Sequence, residues 1–328
     1  MPRAARLGEF ELIAKLLRPL AAGFPGAFDL GDDTARVPVP PGEELVVKTD
    51  ALVGGVHFLA GHDPALIARK ALRVNLSDLA AAGARPIAYQ LALVLPDDID
   101  DPWLEKFCAG LAADQATYGI ALCGGDTTST PGALTISITA LGSVPVGATP
   151  GRAGARAGNL VFVSGTIGDG ALGLLANTGR LPEADATERA FLDDRYLLPQ
   201  PRLSLGQRLR GVATACMDVS DGLVGDLGHI CQRSAVRAAI DAGKVPLSKA
   251  AAAAIARRPS LLETALTGGD DYELLFTAPA DRRATIADIA TAARVPVTEI
   301  GHIEKGSGVA VEQAGKALTL ARPGYRHR

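Results

Sequence analysis

Residues 64–95, PALIARKALRVNLSDLAAAGARPIAYQLALVL, combine a helix-forming segment with a strand-forming segment that follows it directly. Pro64 stands at a favoured first position of a helix and Gly83 at a favoured end, so residues 64–83 are predicted to form one helix. The apolar run at residues 86–95 predicts a buried strand. A helix that leads at once into a buried strand indicates an α/β fold.

The alternation of strands and helices continues on both sides of this stretch. In the first half, strands are predicted at residues 44–49, 120–125 and 133–144, and helices at residues 1–20 and 103–119. In the second half, strands are predicted at residues 160–165, 213–219, 237–241, 272–278, 297–303 and 309–313. Helices are predicted after the glycine-rich loop that follows residue 165, within residues 186–202 up to its prolines, and near residues 221–234, 248–256 and 280–293. Residues 142–159 are rich in Gly, Pro and Ala without periodicity, which indicates a linker. We therefore predict two α/β (or α+β) domains, residues 1–147 and 148–328.

The composition excludes several classes of protein. The chain has 328 residues, 48% hydrophobic and 21% charged, with a net charge of −3, which is typical of a globular protein of two domains. Without a basic run, a nucleic-acid partner is not expected. The first 20 residues resemble an amphipathic helix rather than a signal peptide, and no apolar run reaches a membrane span, so a cytoplasmic location is expected. The four cysteines lack a CxxC pair and are predicted to be buried and reduced.

Asp78 lies in the predicted helix at residues 64–83 and continues its apolar stripe. Asn75 is one turn away and close enough to share a ligand, whereas Arg69 and Arg73 are predicted on the solvent side. A carboxylate that faces inward must be paired or must bind a metal, because an uncompensated buried charge is costly. Asp78 is therefore either a structural carboxylate near a helix end or a metal ligand.

Three further acidic motifs stand in the first half. GDDTA begins at residue 31 and contains Asp32 and Asp33, Asp50 ends the strand at residues 44–49, and Asp126 follows two glycines. Asp50 stands at the end of a strand, where α/β proteins commonly place ligand-binding groups. The glycines before Asp126 would let the backbone approach a phosphate closely, and the carboxylate could then hold the accompanying cation. A turn or a cap explains each motif as well.

The second half contains an acidic block at a predicted strand-to-helix transition. MDVSDGLVGDLGHI, residues 217–230, contains Asp218, Ser220, Asp221 and Asp226. Ser220 is predicted as the N-cap, whose neighbouring N–H groups attract anions. Asp218 and Asp221 could both face one cation, although a cap with surface acids is the alternative.

GGDDYEL, residues 268–274, repeats the Gly-Gly-Asp pattern of residues 124–126, with a turn before a strand as the alternative interpretation. Oxygen ligands without a His or Cys cluster select a hard cation such as Mg²⁺ or Mn²⁺ over zinc. Several Mg²⁺ ions held by aspartates of both halves imply a highly anionic ligand, for which a nucleoside triphosphate is the obvious candidate.

GDGALG, residues 168–173, matches the GxGxxG pattern of dinucleotide-binding proteins. The acidic strand end that such a site needs about 20 residues later is missing, so close helix–strand packing is the alternative to a dinucleotide site. The sequence also lacks a lysine-tipped P-loop and the protein-kinase motifs. Any ATP is therefore expected to be held through carboxylate-bound metals.

Seven segments resemble, in order, the thiamine-monophosphate kinase family, a branch of the ATP-binding superfamily that includes aminoimidazole ribonucleotide synthetase. They are GEFELIAKLL (8–17), GDDTA (31–35), VVKTDALVGGVHF (46–58), ARKALRVNLSDLAAAGARP (68–86), CGGDTT (123–128), DVSDGLVGDLGHI (218–230) and GGDDYELLF (268–276). The resemblance covers nearly the whole chain, and its GVHF and GGDDYEL blocks favour the thiamine phosphate branch.

The resemblance implies a homodimer of two-domain chains, in which N-terminal domains with mixed sheets pair through those sheets. It places ATP and several Mg²⁺ ions in the cleft between this domain and the C-terminal α/β domain. By motif position, the implied metal ligands are Asp33, Thr49, Asp50, Asp78, Asp126, Asp218 and Asp221, with a backbone oxygen of Lys48. The implied ATP contacts are Tyr118, Gly125, Asp126, Arg152 and Ser220, and the implied substrate contacts are His57 and Asp270.

Two positions depart from the family pattern. Where the family has the glutamate of GGEDYEL, this chain has Asp270, whose side chain is one methylene shorter. The family's C-terminal aromatic residue falls where Arg322 stands, ahead of Gly324 and Tyr325, so that contact is not transferred.

The implied reaction is phosphorylation of thiamine monophosphate by ATP to thiamine diphosphate, by direct in-line transfer with several Mg²⁺ ions and without a phospho-enzyme. One alternative is another synthetase of the superfamily, which activates an amide or acyl oxygen or makes selenophosphate. The reactive Cys- and Gly-rich N-terminal segment of selenophosphate synthetases is absent from this sequence. A non-catalytic nucleotide-binding protein is the remote alternative, and it would bind ATP without turnover.

Overall fold

A computed structural model describes residues 6–322 and residue 324 of the chain. The chain forms two compact units. Unit 1 comprises the residues up to Leu79 together with Ala84–Gly147, and unit 2 comprises Ala80–Gly83 and the residues from Ala148 onward. Among the described residues, no helix combines the length and the apolar character that a membrane crossing requires.

Unit 1 begins with a helical segment and continues as alternating strands and helices. Its elements are α1 (Glu9–Leu12), a π-helical turn (Ile13–Leu17), α2 (Arg18–Ala21), a 3₁₀ segment (Pro25–Leu30), β1 (Glu43–Val53), α3 (Pro64–Ala81), β2 (Arg85–Leu95), α4 (Asp101–Tyr118), β3 (Ala121–Ser129) and β4 (Thr135–Pro145). The helix and the strand predicted from residues 64–95 are both confirmed. The N-terminal helix is confirmed from Glu9, and residues 1–5 lie outside the described part of the chain.

The described strands of unit 1 form a mixed sheet in the order β1-β4-β2-β3, in which the pair β2 and β3 is parallel and the other pairs are antiparallel. Ile136, Ile138 and Ala140 of β4 are buried on one face. Helix α3 lies on this face, because Asp78 of α3 contacts the side chain of Lys48, which is in register with Ala140. The other face is more open, so the alternation of β4 reflects a sheet covered mainly on one side.

Unit 2 contains the remaining strands and helices. Its elements are β5 (Asn159–Ser164), α5 (Asp169–Asn177), α6 (Ala186–Leu197), α7 (Leu203–Leu209), β6 (Ala215–Asp218), α8 (Leu223–Ser234), β7 (Arg237–Asp241), α9 (Lys249–Arg257), α10 (Leu261–Thr267), β8 (Leu274–Pro279), a 3₁₀ turn (Ala280–Arg282), α11 (Arg283–Ala293), β9 (Val297–Glu304), β10 (Gly308–Gln313) and β11 (Lys316–Ala317). Helices α7 and α10 were not predicted, because each is only seven residues long and follows a proline-containing stretch.

The described strands of unit 2 form a second mixed sheet in the order β11-β10-β7-β9-β5-β8-β6. Strand β5, between β9 and β8, is buried along its whole length. Val161 and Val163 belong to a hydrophobic cluster that includes Leu227 of α8, whereas Phe162 belongs to a cluster that includes Leu205 of α7. A strand covered on both faces explains why residues 160–163 form a continuous apolar run.

Three predictions about local structure in unit 1 are corrected. Strand β4 extends to Pro145, so the predicted linker begins four residues later than Gly142 and residues 146–158 are irregular. Strand β1 continues to Val53, so Asp50 lies inside the strand rather than at its end. Strand β3 continues to Ser129, so Asp126 also lies inside a strand and not after one.

The two arginines predicted on the solvent side of α3 instead contact a buried carboxylate. Arg73 is buried and donates through Nε to Oδ2 of Asp114 at 2.7 Å, and Arg69 donates to Oδ1 at 2.9 Å. Asp114 of α4 is fully buried. The apolar stripe of the predicted helix does not reveal such a pair, because Asp114 lies 41 residues from Arg73 in sequence.

All four cysteines are buried, and within the described residues none forms a disulfide, as the sequence predicted. Burial raises the pKa of the Cys108 thiol to about 12 and that of Cys123 to about 11. These thiols therefore stay protonated at neutral pH and serve as small apolar side chains.

Helix α5 packs closely against α6 at Gly173, and this contact gives a test of the fold. A Cβ atom at Gly173 would lie 2.3 Å from the Leu192 carbonyl oxygen. Gly173→Ala is expected to lower the free energy of unfolding by about 1–3 kcal/mol, because backbone must move to admit the methyl group. Urea unfolding followed by circular dichroism measures the change.

Gly228→Ala in α8 is the matched control, since a Cβ atom there would meet nothing within 4 Å. This variant is expected to be neutral or more stable by roughly 0.5–1 kcal/mol, because alanine is the better helix former. Equal effects of the two substitutions would contradict the packing described for α5.

Candidate metal and nucleotide site

The side chain of Lys48 bridges two of the predicted metal ligands in unit 1. The ammonium group of Lys48 lies 3.0 Å from Oδ1 of Asp50 and 3.1 Å from Oδ2 of Asp78. Burial alone would lower the pKa of Lys48, but the charges of Asp78 and Asp50 outweigh it and raise the pKa. These carboxylates therefore already form a pocket for positive charge.

Asn75 fixes the distance between the strand and the helix that carry these carboxylates. Its amide nitrogen donates to the carbonyl oxygen of Ala71 at 3.0 Å, and its Oδ1 accepts from the backbone N–H of Asp50 at 3.1 Å. Asn75 is fully buried. It holds the backbone of Asp50 against α3, so its role in these contacts is structural. The sequence had suggested that Asn75 could share a ligand with Asp78.

A second group of predicted ligands lines a cavity of about 550 Å³ in unit 1. Asp32, Asp33, Gly125 and Asp126 are among its lining residues. Asp126 is exposed and accepts a hydrogen bond from the backbone N–H of Thr127 at 2.9 Å. Since the cavity brings the GDDTA and CGGD motifs together, the structure supports their joint use in one site.

Glycine at position 125 is required by a close approach of two strands. A Cβ atom there would lie 1.8 Å from the carbonyl oxygen of Leu91 in β2. The register of the parallel pair shifts at Tyr89 and Gln90, immediately before this contact. Gly125 thus lets β3 continue alongside β2 and present the Asp126 carboxylate from within the strand.

The two ligand groups of unit 1 lie on opposite faces of its sheet. Asp50 is in register with Ile138 of β4, whereas Asp126 shares a row with Ala92 and Ser137. Ile138 and Ser137 are consecutive residues, and consecutive side chains of a strand point to opposite faces. Thr49 belongs with the second group, because its hydroxyl lies 2.8 Å from that of Thr139, which lines the cavity.

His57 and Tyr118 lie outside both groups of carboxylates. His57 accepts the backbone N–H of Val53 at Nδ1, 3.0 Å away, so Nε2 carries the proton of the neutral ring and can donate it in a hydrogen bond. Tyr118 ends α4, and the guanidinium of Arg73 lies 5.5 Å from its ring centroid. Neither residue lines the cavity that contains Asp33 and Asp126.

The predicted ligands of unit 2 lie where the edge strand β6 ends. Asp218 is buried and is the last residue of β6, and Asp221 is half-buried in the loop that leads to α8. The backbone of Ser220 accepts from the N–H of Asp270 at 3.0 Å. The DVSDGL and GGDDYEL blocks are therefore neighbours, as a common site requires.

Asp226 determines the conformation of this loop. Its Oδ2 accepts the backbone N–H groups of Ser220, Asp221 and Gly222 at 3.0, 3.0 and 3.1 Å. Burial raises the pKa of Asp226 to about 7, although these hydrogen bonds oppose the change. The prediction that Ser220 is the N-cap is wrong, because Gly222 holds that position and the loop N–H groups already bind an internal carboxylate.

In the GGDDYEL segment, residues with buried side chains alternate with residues that have a positive φ angle. Asp271 accepts from the N–H groups of Gly168 and Gly170 at 2.7 and 2.9 Å, and Glu273 is paired with Arg202. Asp270 precedes Asp271 and has a φ of 72°, and Tyr272, between the two buried acids, has a φ of 53°; such values cost energy for a residue with a side chain. The two buried acids thus hold Asp270 in a strained conformation.

The contacts of Asp271 also explain the GDGALG motif. The N–H groups at the start of α5, which would bind a phosphate in a dinucleotide site, donate to this side chain. The motif serves internal packing. Arg202 and Asp271 were not predicted as partners of this region, because the bonds connect segments that lie 71 to 103 residues apart in sequence.

Arg152 and the C-terminal segment are the remaining predicted contacts. Arg152 is exposed, and its carbonyl oxygen accepts from the Ser234 hydroxyl at 3.4 Å. A Cβ atom at Gly324 would lie 3.1 Å from the carbonyl oxygen of Asp221, so the C-terminal segment reaches the DVSDGL loop. Tyr325 lies outside the described residues.

The donors present fit a hard divalent cation. The predicted ligands of both units are mainly carboxylates, and the ammonium of Lys48 shows that Asp50 and Asp78 can share one cation. Across residues 6–322 and 324, His, Cys, Asp and Glu side chains form no group of three or more at metal-ligating spacing. Each ligand pair would therefore need oxygens from water or from a bound phosphate to complete the coordination of Mg²⁺.

Comparisons with known proteins agree with these features. Models of the AIR synthase related protein family match residues 31–144 (N-terminal domain) and residues 156–313 (C-terminal domain). The chain is 45% identical to the thiamine-monophosphate kinase of Caulobacter vibrioides, over 99% of this chain and 92% of the relative. It is similar to the crystal structure of thiamine-monophosphate kinase from Stenotrophomonas maltophilia, with 43% identity, a TM-score of 0.83, and coverage of 95% of this chain and 98% of that one.

A further solved structure contains ligands. It is described as AaThiL complexed with AMPPCP and TMP, and it is 34% identical to this chain with a TM-score of 0.78. The match covers 98% of this chain and 97% of that chain. The similarity is therefore to a whole protein that binds these two molecules.

The hydrogen bonds of Asp226 can be tested directly. In Asp226→Ala, the amides of Ser220, Asp221 and Gly222 are expected to exchange with solvent at least about tenfold faster, because each loses a hydrogen bond to a carboxylate. Hydrogen–deuterium exchange read by NMR or mass spectrometry measures the rates. In the control Asp288→Ala, which removes an exposed acid of α11, these rates are expected to stay the same. Unchanged exchange in Asp226→Ala would contradict the assigned role.

Proposed function

Because the chain belongs to the thiamine-monophosphate kinase family of AIR synthase related proteins, we propose that it phosphorylates thiamine monophosphate to thiamine diphosphate with ATP. The observation that carries the proposal is the match over nearly the full length to a protein that binds AMPPCP and TMP together. AMPPCP is an analogue of ATP that resists transfer of its terminal phosphoryl group. The carboxylate groups of both units agree with a metal-dependent phosphotransferase.

The metal-binding role falls to three groups of residues. Asp50 and Asp78 form one, with a backbone oxygen of Lys48, and Asp33, Thr49 and Asp126 form a second. Asp218 and Asp221 form the third. Bound Mg²⁺ neutralises phosphate charge and so removes the main obstacle to reaction between two anions.

The acceptor needs little activation by the protein. A phosphate monoester has a second pKa near 6 and is therefore largely dianionic at neutral pH, so a general base is unnecessary. The side chains have to bind both anions, align them and stabilise charge on the transferred group. We propose direct in-line transfer without a covalent phospho-enzyme on this ground.

The nucleotide contacts follow from the motifs and their local structure. Gly125 and Asp126 line the cavity of unit 1 and would meet the phosphates there. Ser220 would act through its hydroxyl, since its N–H group already binds Asp226. Arg152 is exposed and would supply positive charge, and Tyr118 would contact the nucleotide as the family pattern implies.

His57 and Asp270 are the proposed substrate contacts. Since Nδ1 of His57 accepts the N–H of Val53, its Nε2–H can donate to an acceptor phosphate. Asp270 carries negative charge in a strained backbone conformation and would face the cationic thiazolium or the aminopyrimidine. The homodimer and the cytoplasmic location stay predictions from the sequence.

A coupled assay with the purified chain tests the proposed function. Thiamine diphosphate is expected to form from thiamine monophosphate and ATP in the presence of Mg²⁺, with one ADP released per product. ATP hydrolysis that is stimulated by an amide, but not by thiamine monophosphate, would favour another synthetase of the superfamily. Binding of ATP without turnover of any acceptor would favour a non-catalytic protein.

The same assay tests the carboxylates. Asp78→Asn and Asp218→Asn are expected to lose most of the activity and to regain little with excess Mg²⁺, because an amide oxygen carries no charge to hold the metal. Asp288→Asn, on the exposed side of α11, is the control and should keep normal activity. Near-normal turnover in both ligand variants would contradict the metal-binding role.

His57→Ala is expected to raise KM for thiamine monophosphate by about tenfold, because one hydrogen bond to a charged group is lost. KM for ATP should change little. Steady-state kinetics with each substrate varied in turn separates the two constants. An unchanged KM for thiamine monophosphate would remove His57 from the substrate site.

A further inference from the structure

The ammonium group of Lys48 occupies the position between two carboxylates that the proposed function assigns to Mg²⁺. It contacts Asp50 and Asp78 at nearly equal distances, 3.0 and 3.1 Å. The three side chains are 31%, 34% and 24% exposed, so the charges are only partly screened by water. This bridge differs from an ordinary surface ion pair, because one cation serves two anions.

The carboxylates cannot simply move apart when the cation leaves. Asp50 belongs to the paired strand β1, and its backbone N–H is bound by the buried side chain of Asn75. Asp78 and Asn75 lie one turn apart on α3, so both anions belong to fixed elements. Two carboxylates held in this way repel each other unless a cation lies between them.

We infer that Lys48 is an internal counter-ion of Asp50 and Asp78, and that Mg²⁺ must displace its ammonium group before both carboxylates can bind the metal. The inference rests on the proposed function, which supplies the metal role of these aspartates. Two cations cannot share the same gap, because they repel each other and because Mg²⁺ requires oxygen ligands at about 2.1 Å.

In this arrangement Lys48 affects both the stability of the unit and its affinity for Mg²⁺. It stabilises the unit without metal by neutralising the pair, and it lowers the apparent affinity for Mg²⁺ by competition. The side chain has a flexible four-carbon stem, so its ammonium group can leave toward solvent without movement of β1. Lys48 is thus a residue that tunes metal affinity through its side chain, in addition to the backbone contact implied by the family pattern.

Chemical labelling of the wild-type chain tests the displacement. The rate at which an acylating reagent modifies Lys48 is measured by peptide mass mapping, with Lys106, exposed on α4, as the internal reference. Saturating Mg²⁺ is expected to raise the rate at Lys48 several-fold relative to NaCl of the same ionic strength. The rate at Lys106 should not change.

Lys48→Met, which keeps the length of the side chain without its charge, tests the competition. Calorimetric titration with Mg²⁺ is expected to show roughly fivefold to tenfold tighter binding than in the wild type, because two ion pairs no longer oppose the metal. The variant should also melt at a lower temperature without Mg²⁺ and gain more from its addition. Lys106→Met is the control and should behave as the wild type.

The outcomes separate the inference from the proposed function. If the wild type binds Mg²⁺ but acylation of Lys48 stays constant, the inference is overturned and the proposed function is unaffected. Equal Mg²⁺ affinity of Lys48→Met and the wild type overturns it as well. If the wild type binds no Mg²⁺ even with AMPPCP present, both the metal role and the inference fail. The labelling experiment needs no variant, so a folding defect of Lys48→Met leaves the test intact.

Discussion

The compensation of inward-facing carboxylates is the constraint on which this structure depends. A carboxylate removed from water is costly unless hydrogen bonds or opposite charges replace its hydration. Asp226 and Asp271 receive backbone N–H groups, Glu273 receives the guanidinium of Arg202, and Asp50 shares the ammonium of Lys48. These partners tie loops to strands and helices, and they determine where negative charge stays available.

The type of partner separates structural acids from candidate ligands. The oxygens of Asp226 and Asp271 accept N–H groups of loops and of the start of α5, so these side chains are used within unit 2. Asp33 and Asp126 instead line an open cavity, and the cation on Asp50 and Asp78 is a flexible side chain that can leave. A carboxylate can bind a metal ion only if it faces solvent or if the group that neutralises it can move away. A bound ion has to take the place of that group.

The sequence predicted the alternating elements, the two-unit organisation and the acidic motifs, because these are local patterns of two to twenty residues. It did not predict the buried pair of Arg73 with Asp114 or the capture of the loop N–H groups by Asp226, since these depend on tertiary contacts or on exact loop conformation. The same reason explains the wrong N-cap at Ser220. Side-chain direction within strands was also beyond the motifs, and it places Asp50 and Asp126 on opposite faces of one sheet.

The central claim is that aspartates of both units hold divalent cations on the phosphates of ATP. Anomalous diffraction from crystals of the chain grown with Mn²⁺ and AMPPCP tests it most directly, because Mn²⁺ replaces Mg²⁺ on oxygen ligands and is located independently of the refined atoms. The account predicts manganese peaks within coordination distance of the Asp50 and Asp78 pair, of Asp126 and of Asp218, with phosphate oxygens bound to the ions that hold the nucleotide. Nucleotide bound in the crystal with no manganese at these carboxylates would contradict it.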